Sequence, residues 1–241
     1  MKVSVFGSHT HMSEKEVRGK VAVVIDTLRA TSTIITAMAN GCSQVLPVEE
    51  VEQAMERKAS MPESSTILGG ERNALKVSGF DLGNSPLEYT AEVVSGKTLI
   101  LTTSNGTQAI SKAREASILY LGAMINGVTA ASALLRAEKD VVLLCAGTHG
   151  YYSSDDILTA GYILYRLHRF GSNIEIELDD LGRAAMELYE RAKDDLNAAL
   201  KPSTHYQRLV EAGMEKDLEY CLKRDTVRIL PVCRDGQITL T

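Results

Sequence analysis

Five carboxylates stand where strands end or loops turn in this sequence: Asp26, Glu71, Asp81, Asp155 and Asp156. Hard oxygen ligands of this kind suit Mg²⁺, which one or two carboxylates can hold while waters and substrate oxygens complete its shell. Such an ion polarises a phosphoryl oxygen and lowers the pKa of a bound water. Each acid taken alone also fits a helix cap or a salt bridge, and Asp155 and Asp156 stand at the start of a predicted helix, where caps are common. Arg29 follows Asp26 closely and could grip a phosphate or sulfonate, with Thr31, Ser32 and Thr33 opening the next helix behind it. A second turn, Thr103-Ser104-Asn105-Gly106-Thr107, sets small hydroxyl residues and a glycine ahead of another helix. Backbone N–H groups there could cradle an anion, or the residues could serve only as caps and turn formers.

The familiar phosphate signatures are absent. No G-x-x-x-x-G-K-[ST] loop and no G-x-G-x-x-G fingerprint occurs. Asp26 is followed by Thr27 and Leu28 rather than by a second aspartate, and Tyr151 occupies the place after Cys145 where a cysteine phosphatase needs arginine. The four cysteines are widely spaced with no C-x-x-C pair, so buried thiols are expected, Cys145 among them. His9 and His11 could share the face of a strand and bind metal, but a mobile polar terminus is the favoured reading.

Apolar periodicity locates the elements that must position these groups. Buried strands are predicted over residues 21–25, 43–48, 97–102, 118–121 and 141–145, with helices over 31–39, 48–58, 108–115, 128–137 and from about 154 to 170. Residues 66–89, rich in glycine, read as a packed binding loop carrying Glu71, Arg72, Asp81, Asn84 and Ser85. The alternation predicts an α/β fold, and residues 1–241 read as one domain. From residue 174 the pattern becomes an acidic helix, a second helix over 206–213 and short strands over 227–232 and 237–240, read as a helical and short-strand C-terminal arm.

The 26 basic and 31 acidic side chains give a net charge of −5 with no basic run, which argues against a nucleic-acid partner, so an anionic substrate must be captured locally. No apolar run approaches the roughly 18 residues that span a bilayer, and the first residues lack the apolar core of a secretory signal. A cytoplasmic protein without a membrane partner is expected, assembled as a homodimer.

Four strings, VIDTLRATSTI, GGERNALKVSGFDLGNSPLEY, LTTSNGTQAI and LLCAGTHGYYSSDD, resemble in order and spacing the ComB family of 2-phosphosulfolactate phosphatases. The resemblance covers essentially the whole chain. It implies a three-layer α/β/α fold with a mostly parallel or mixed sheet, unrelated to the phosphatase superfamilies excluded above. It also implies Mg²⁺-dependent hydrolysis of 2-phospho-3-sulfolactate to 3-sulfolactate and phosphate, a step toward coenzyme M in methanogens. On that footing Asp26 and Glu71 are expected to anchor Mg²⁺, with Asp156 or Asp155 as a further ligand or general base. Arg29 and the turn of Thr103, Ser104, Asn105, Gly106 and Thr107 are expected to hold the phosphoryl and sulfonate oxygens. Thr31, Asn84 and Ser85 also match the family pattern and are expected at the substrate. His149 stands where that pattern more often has glutamate. Two other readings stay open: a phosphatase for another small phosphorylated hydroxy acid, and a non-catalytic binder of small phosphorylated or sulfonated acids.

Overall fold

The computed structural model describes residues 1–171 and 173–240. In chain order its elements begin with β1 (Lys2–Phe6), β2 (Val21–Ile25), α1 (Ala30–Ala39), β3 (Gln44–Pro47), α2 (Val51–Ala59), β4 (Thr66–Arg72), β5 (Leu75–Lys76), α3 (Ala91–Val94), β6 (Thr98–Thr102) and α4 (Gly106–Lys112). They continue with β7 (Ile118–Gly122), α5 (Gly127–Ala137), β8 (Val141–Cys145), α6 (Ser154–Phe170), β9 (Glu177–Leu178), α7 (Asp180–Ala192), α8 (Leu196–Leu200), α9 (Thr204–Glu211), α10 (Glu215–Cys221), β10 (Val232–Arg234) and β11 (Gln237–Thr239).

Among the described residues the strands form one mixed sheet in the order β5-β4-β6-β3-β11-β10-β7-β2-β8-β1-β9. Strands β2 and β8 are buried along their whole length, which is why their sequences are apolar throughout rather than alternating. Along β2, Ala22 and Val24 enter one core with Ile34, Leu99 and Ile110, while Val21, Val23 and Ile25 enter the other with Leu134, Ile163 and Leu164. Helices therefore cover both faces, giving the three-layer α/β/α arrangement.

Register positions the site. Val21 pairs in parallel with both Ile118 and Val141, and Ile25 ends beside Gly122 and Cys145. The chain thus leaves β2, β7 and β8 at one edge of the sheet, the carboxyl edge where open α/β sheets form their crevices.

Residues 66–72, expected as loop, form β4, a strand parallel to β6. Glycine enrichment there reflects close approach rather than turning: a Cβ at Gly69 would lie 2.1 Å from the Tyr89 hydroxyl, and one at Gly70 2.2 Å from the Thr102 carbonyl oxygen. Asp81 serves this packing. It accepts from the Leu68 N–H at 2.8 Å and pairs with Lys58.

Residues 9–11 form a short 3₁₀ turn, not a strand, and His9 is fixed rather than mobile: its Nδ1 donates to the Ala146 carbonyl at 2.7 Å and its Nε2 lies 3.1 Å from the Gln108 side chain. The C-terminal segment supplies α7 to α10, and β10 and β11 lie inside the sheet between β7 and β3. The hairpin between them turns on Asp235 and Gly236, whose φ values of 50° and 74° suit a tight two-residue turn. No helix among the described residues is long and apolar enough to cross a membrane.

Helices α6 and α7 meet at Gly161, where an added Cβ would lie 2.0 Å from the Ala185 carbonyl oxygen. Backbone on both sides cannot yield cheaply. Gly161→Ala is expected to cost about 2–3 kcal/mol, outweighing the helix propensity gained, and to lower the midpoint of urea unfolding.

Candidate active site

Asp26 is the first residue beyond β2 and is 8% exposed. Its Oδ1 accepts the Ala30 N–H at 3.1 Å, so it caps the start of α1 while Oδ2 lies beside Gly106. A Cβ at Gly106 would stand 2.7 Å from Asp26 Oδ2 and 2.6 Å from Ala30 Cβ, so only glycine lets the first turn of α4 reach this carboxylate. Thr31 holds Asp26 in place. Its hydroxyl donates toward the Asp26 and Gly122 carbonyls and accepts the Asp26 N–H, which leaves nothing to offer a substrate.

Glu71, at the end of β4, reaches across to the turn before α4. Its Oε1 accepts the Ser104 N–H at 2.7 Å and its Oε2 the Ala74 N–H at 2.8 Å. The Thr103 and Thr107 side chains cap each other's N–H groups, and the Thr107 hydroxyl donates to the Thr103 carbonyl. The anion cradle expected from this turn is thus largely committed to the protein itself. Asp156 bridges two strand ends, accepting from the Thr27 and Gly147 N–H groups. Asp155 accepts from the Leu28 N–H and the Ser153 hydroxyl and stands 3.5 Å from His205 Nδ1.

These buried acids perturb one another. Burial above all, then Asp155 and Glu71, raise the Asp26 carboxyl to about 6 against the pull of His205 and the Ala30 N–H. Burial, Asp155 and Asp26 push Asp156 well above the ordinary carboxylate range. Burial also works to raise Asp155, but His205 and Ser153 outweigh it and hold that carboxyl low. His205 is raised in turn, because Asp155 and then Asp26 overcome the cost of its burial. The Cys145 thiol is pushed well up by burial, Asp156 and Asp155. It stays protonated at neutral pH, as a buried strand-end thiol should, and is a poor nucleophile.

Arg29 is 4% exposed and already engaged. Its Nη1 donates to Asp217 Oδ2 at 2.7 Å and its Nη2 to the Ala74 carbonyl at 3.0 Å, while Ser85 donates to the other Asp217 oxygen at 2.5 Å. Arg29 and Ser85 therefore build the wall rather than stand free for an anion. Asp217, on α10, carried no signal in the sequence.

A cleft opens where these groups converge. Of the expected residues Asp26, Arg29, Glu71, Asn84, Ser104 and Asn105 line it, while Thr31, Ser85, Thr103, Gly106, Thr107, Asp155 and Asp156 lie behind. Asn73, His149, His205 and Arg208 add polar groups to the lining, with Leu28, Ala74, Thr148 and Leu209 also part of it. Its free volume is about 40 Å³, room for a few waters rather than an organophosphate. A larger groove of about 600 Å³, against Pro47, Gln53 and Arg114, includes none of these groups except Thr107.

Among the described residues no three His, Cys, Asp or Glu side chains gather into a ready-made cation site. The donors nonetheless fit Mg²⁺, which needs few protein ligands. Asp26 makes no side-chain hydrogen bond through Oδ2 among the described residues, each Glu71 oxygen accepts one N–H and keeps a lone pair, and the buried Asn84 Oδ1 on the same wall has no hydrogen-bond partner. An orphaned hard oxygen on a residue that lines the same cleft as two carboxylates is what such an ion could satisfy.

Residues 8–236 match the family model described as 2-phosphosulpholactate phosphatase. The chain is 44% identical over 238 residues to a "Probable 2-phosphosulfolactate phosphatase" of Clostridium tetani, covering 99% of this chain and 100% of that protein. It is 42% identical to proteins of the same name from Clostridium beijerinckii, over 99% of both chains, and from Caldanaerobacter subterraneus, over 98% of this chain and 97% of the relative. With matches of this length and identity across the β2, β4 and β6 strand ends that build the cleft, the chain belongs to the 2-phosphosulfolactate phosphatase family of phosphoric monoester hydrolases.

Proposed function

We propose that the protein hydrolyses the phosphate monoester of 2-phospho-3-sulfolactate in a Mg²⁺-dependent reaction, giving 3-sulfolactate and phosphate on a route of the coenzyme M type. The observation that carries this reading is Asp26: a buried carboxylate at the sheet's carboxyl edge, in one cleft lining with Glu71 and with Asn84, whose buried side-chain oxygen is unpartnered. Asp26 and Glu71 would hold the ion, with Asn84 within the same wall. Bound there, Mg²⁺ supplies neutralisation of phosphoryl charge.

The chain's own groups do the rest. Ala30 N–H and Thr31 fix Asp26, and Ser104 and Ala74 N–H groups fix Glu71, so neither carboxylate must reorganise during reaction. Asp155 and Asp156 tie the β2 end to the start of α6 and the β8 end, and we assign them positioning rather than ligation. As the P–O ester bond breaks, the departing oxygen needs a proton to become the sulfolactate hydroxyl. We assign that proton to His205, which lines the cleft with Nδ1 against Asp155.

Phosphate release should require Mg²⁺, stop on chelation and return when the ion is restored. Glu71→Gln should lower kcat/KM by about 100-fold or more, since it removes a charge and turns an amide N–H toward the Ser104 or Ala74 N–H. Tight binding of the organophosphate without turnover would favour a binding module. Equal kcat/KM for 2-phosphosulfolactate, 2-phospholactate and phosphoglycolate would show a broader hydroxy-acid phosphatase.

A further inference from the structure

The proposed substrate carries a phosphate, a carboxylate and a sulfonate on three carbons, and the role assigned to Arg208 rests on that reading. The cations lining the cleft are not equivalent. Arg29 is matched by Asp217 at 2.7 Å and His205 by Asp155 at 3.5 Å. Arg208 meets only uncharged acceptors: Nη1 donates to His149 Nε2 at 2.8 Å and Nη2 to Asn73 Oδ1 at 3.1 Å. Among the described residues no carboxylate pairs with it, and its charge alone among those of the cleft cations is left without a carboxylate to offset it.

Its backbone is firmly placed in the fold, and among the described residues its side chain is held by those two hydrogen bonds alone. Leu209, next in α9, is 1% exposed and packs with Leu28, Leu218 and Cys221. The α9 N-terminus is capped by Ser203, which accepts the Tyr206 N–H. Backbone motion of the helix would unseat that cluster, whereas rotation of the Arg208 side chain costs two hydrogen bonds to neutral groups. Those bonds reach from α9 to the segments carrying Asn73 and His149, and all three residues line a cleft with about 40 Å³ free. An entering substrate must displace them, and an anion offers the guanidinium a stronger, charge-assisted pairing in return.

The covalent structure of the substrate separates its two other acid groups: the carboxylate is bonded directly to the ester carbon, while the sulfonate stands one carbon further from the phosphoryl group and can reach a guanidinium that lines the cleft apart from Asp26 and Glu71. We propose that Arg208 is the specificity residue that leaves its His149 and Asn73 contacts to bind the substrate sulfonate.

The test compares wild type, Arg208→Gln and Arg208→Lys on 2-phosphosulfolactate, 2-sulfoethyl phosphate, which lacks the carboxylate, and 2-phospholactate, which lacks the sulfonate. Arg208→Gln is expected to lower kcat/KM about 100-fold for both sulfonated esters, mostly through KM, and less than about threefold for 2-phospholactate. Arg208→Lys should recover part of the loss. Equal losses on all three esters would overturn the assignment in favour of a phosphoryl or structural role. Losses confined to the two carboxylated esters would overturn it in favour of the carboxylate. If the wild type turns over none of them, the proposed function fails and calorimetry with 2-hydroxyethanesulfonate, which carries the sulfonate without the carboxylate, decides the residue's role. Binding lost in Arg208→Gln would then uphold the sulfonate contact, and equal or absent binding would overturn it.

Discussion

Asp26→Asn will fold, release no measurable phosphate, and in metal-free buffer at neutral pH be more stable than the wild type. The activity loss, expected at about 1,000-fold or more, comes from removing the charge at the centre of the cleft. The stability gain comes from linkage. The folded chain holds the Asp26 carboxyl at about 6, above its ordinary 3.8. Between those values the folded state keeps a proton that the unfolded state releases, so stability falls as pH rises through the window and stays lower above it. A shift of this size corresponds to at most about 3 kcal/mol, at roughly 1.4 kcal/mol per pH unit. Asparagine cannot ionise, yet its carbonyl can still accept the Ala30 N–H. Thermal unfolding in chelator at pH 4 and pH 7.5 should show a gain of a few degrees for the variant only at the higher pH. Added Mg²⁺ should then raise the wild-type midpoint and leave the variant unchanged.

Asp217→Ala should be the most destabilising substitution in the cleft wall, by about 3–5 kcal/mol. Both Arg29 and Asp217 are 4% exposed, so the alanine strands a buried guanidinium and leaves the Ser85 hydroxyl without its partner. Replacing both members, with Arg29→Met and Asp217→Leu, should recover much of the loss, because the pair's desolvation cost disappears with its attraction. Urea unfolding of the two single variants and the double variant measures the coupling. Additive losses would show that the pair contributes no more than its separate packing.

The two substitutions also separate what the sequence could disclose from what it could not. Strands β2 and β8 were legible because a strand buried along its whole length has no polar side to interrupt its apolar run, and shorter apolar stretches marked the strands over 98–102 and 118–122. Asp26 was legible for the same reason, as the first charge after such a run. Strand β4 was obscured because the Tyr89 hydroxyl and the Thr102 carbonyl demand glycines at 69 and 70, and glycine ordinarily signals a turn. Hydroxyl residues misled in the opposite direction: Thr31, Thr103 and Thr107 looked available to an anion but are spent on backbone groups.

Asp217, His205 and Arg208 were missed because their meaning depends on distance across the fold. Arg29 and Asp217 are 188 residues apart in the chain, and no local period marks a lone aspartate on a short helix as the partner of a distant arginine. Once α9 and α10 fold against Leu28, the same residues give the cleft its buried ion pair, its histidine and its uncompensated arginine. The family strings carry Asp26, Glu71, Asp155 and Asp156 alike, but they do not show that Asp155 and Asp156 stand outside the cleft lining.

The ion position bears most directly on the claim that Asp26 and Glu71 form the catalytic metal site. Crystals grown with Mn²⁺ in place of Mg²⁺ should give an anomalous difference peak within coordination distance of Asp26 Oδ2 and a Glu71 oxygen, and that peak should vanish in Asp26→Asn. A peak held instead by Asp155 and Asp156, or one that persists in Asp26→Asn, would contradict that claim.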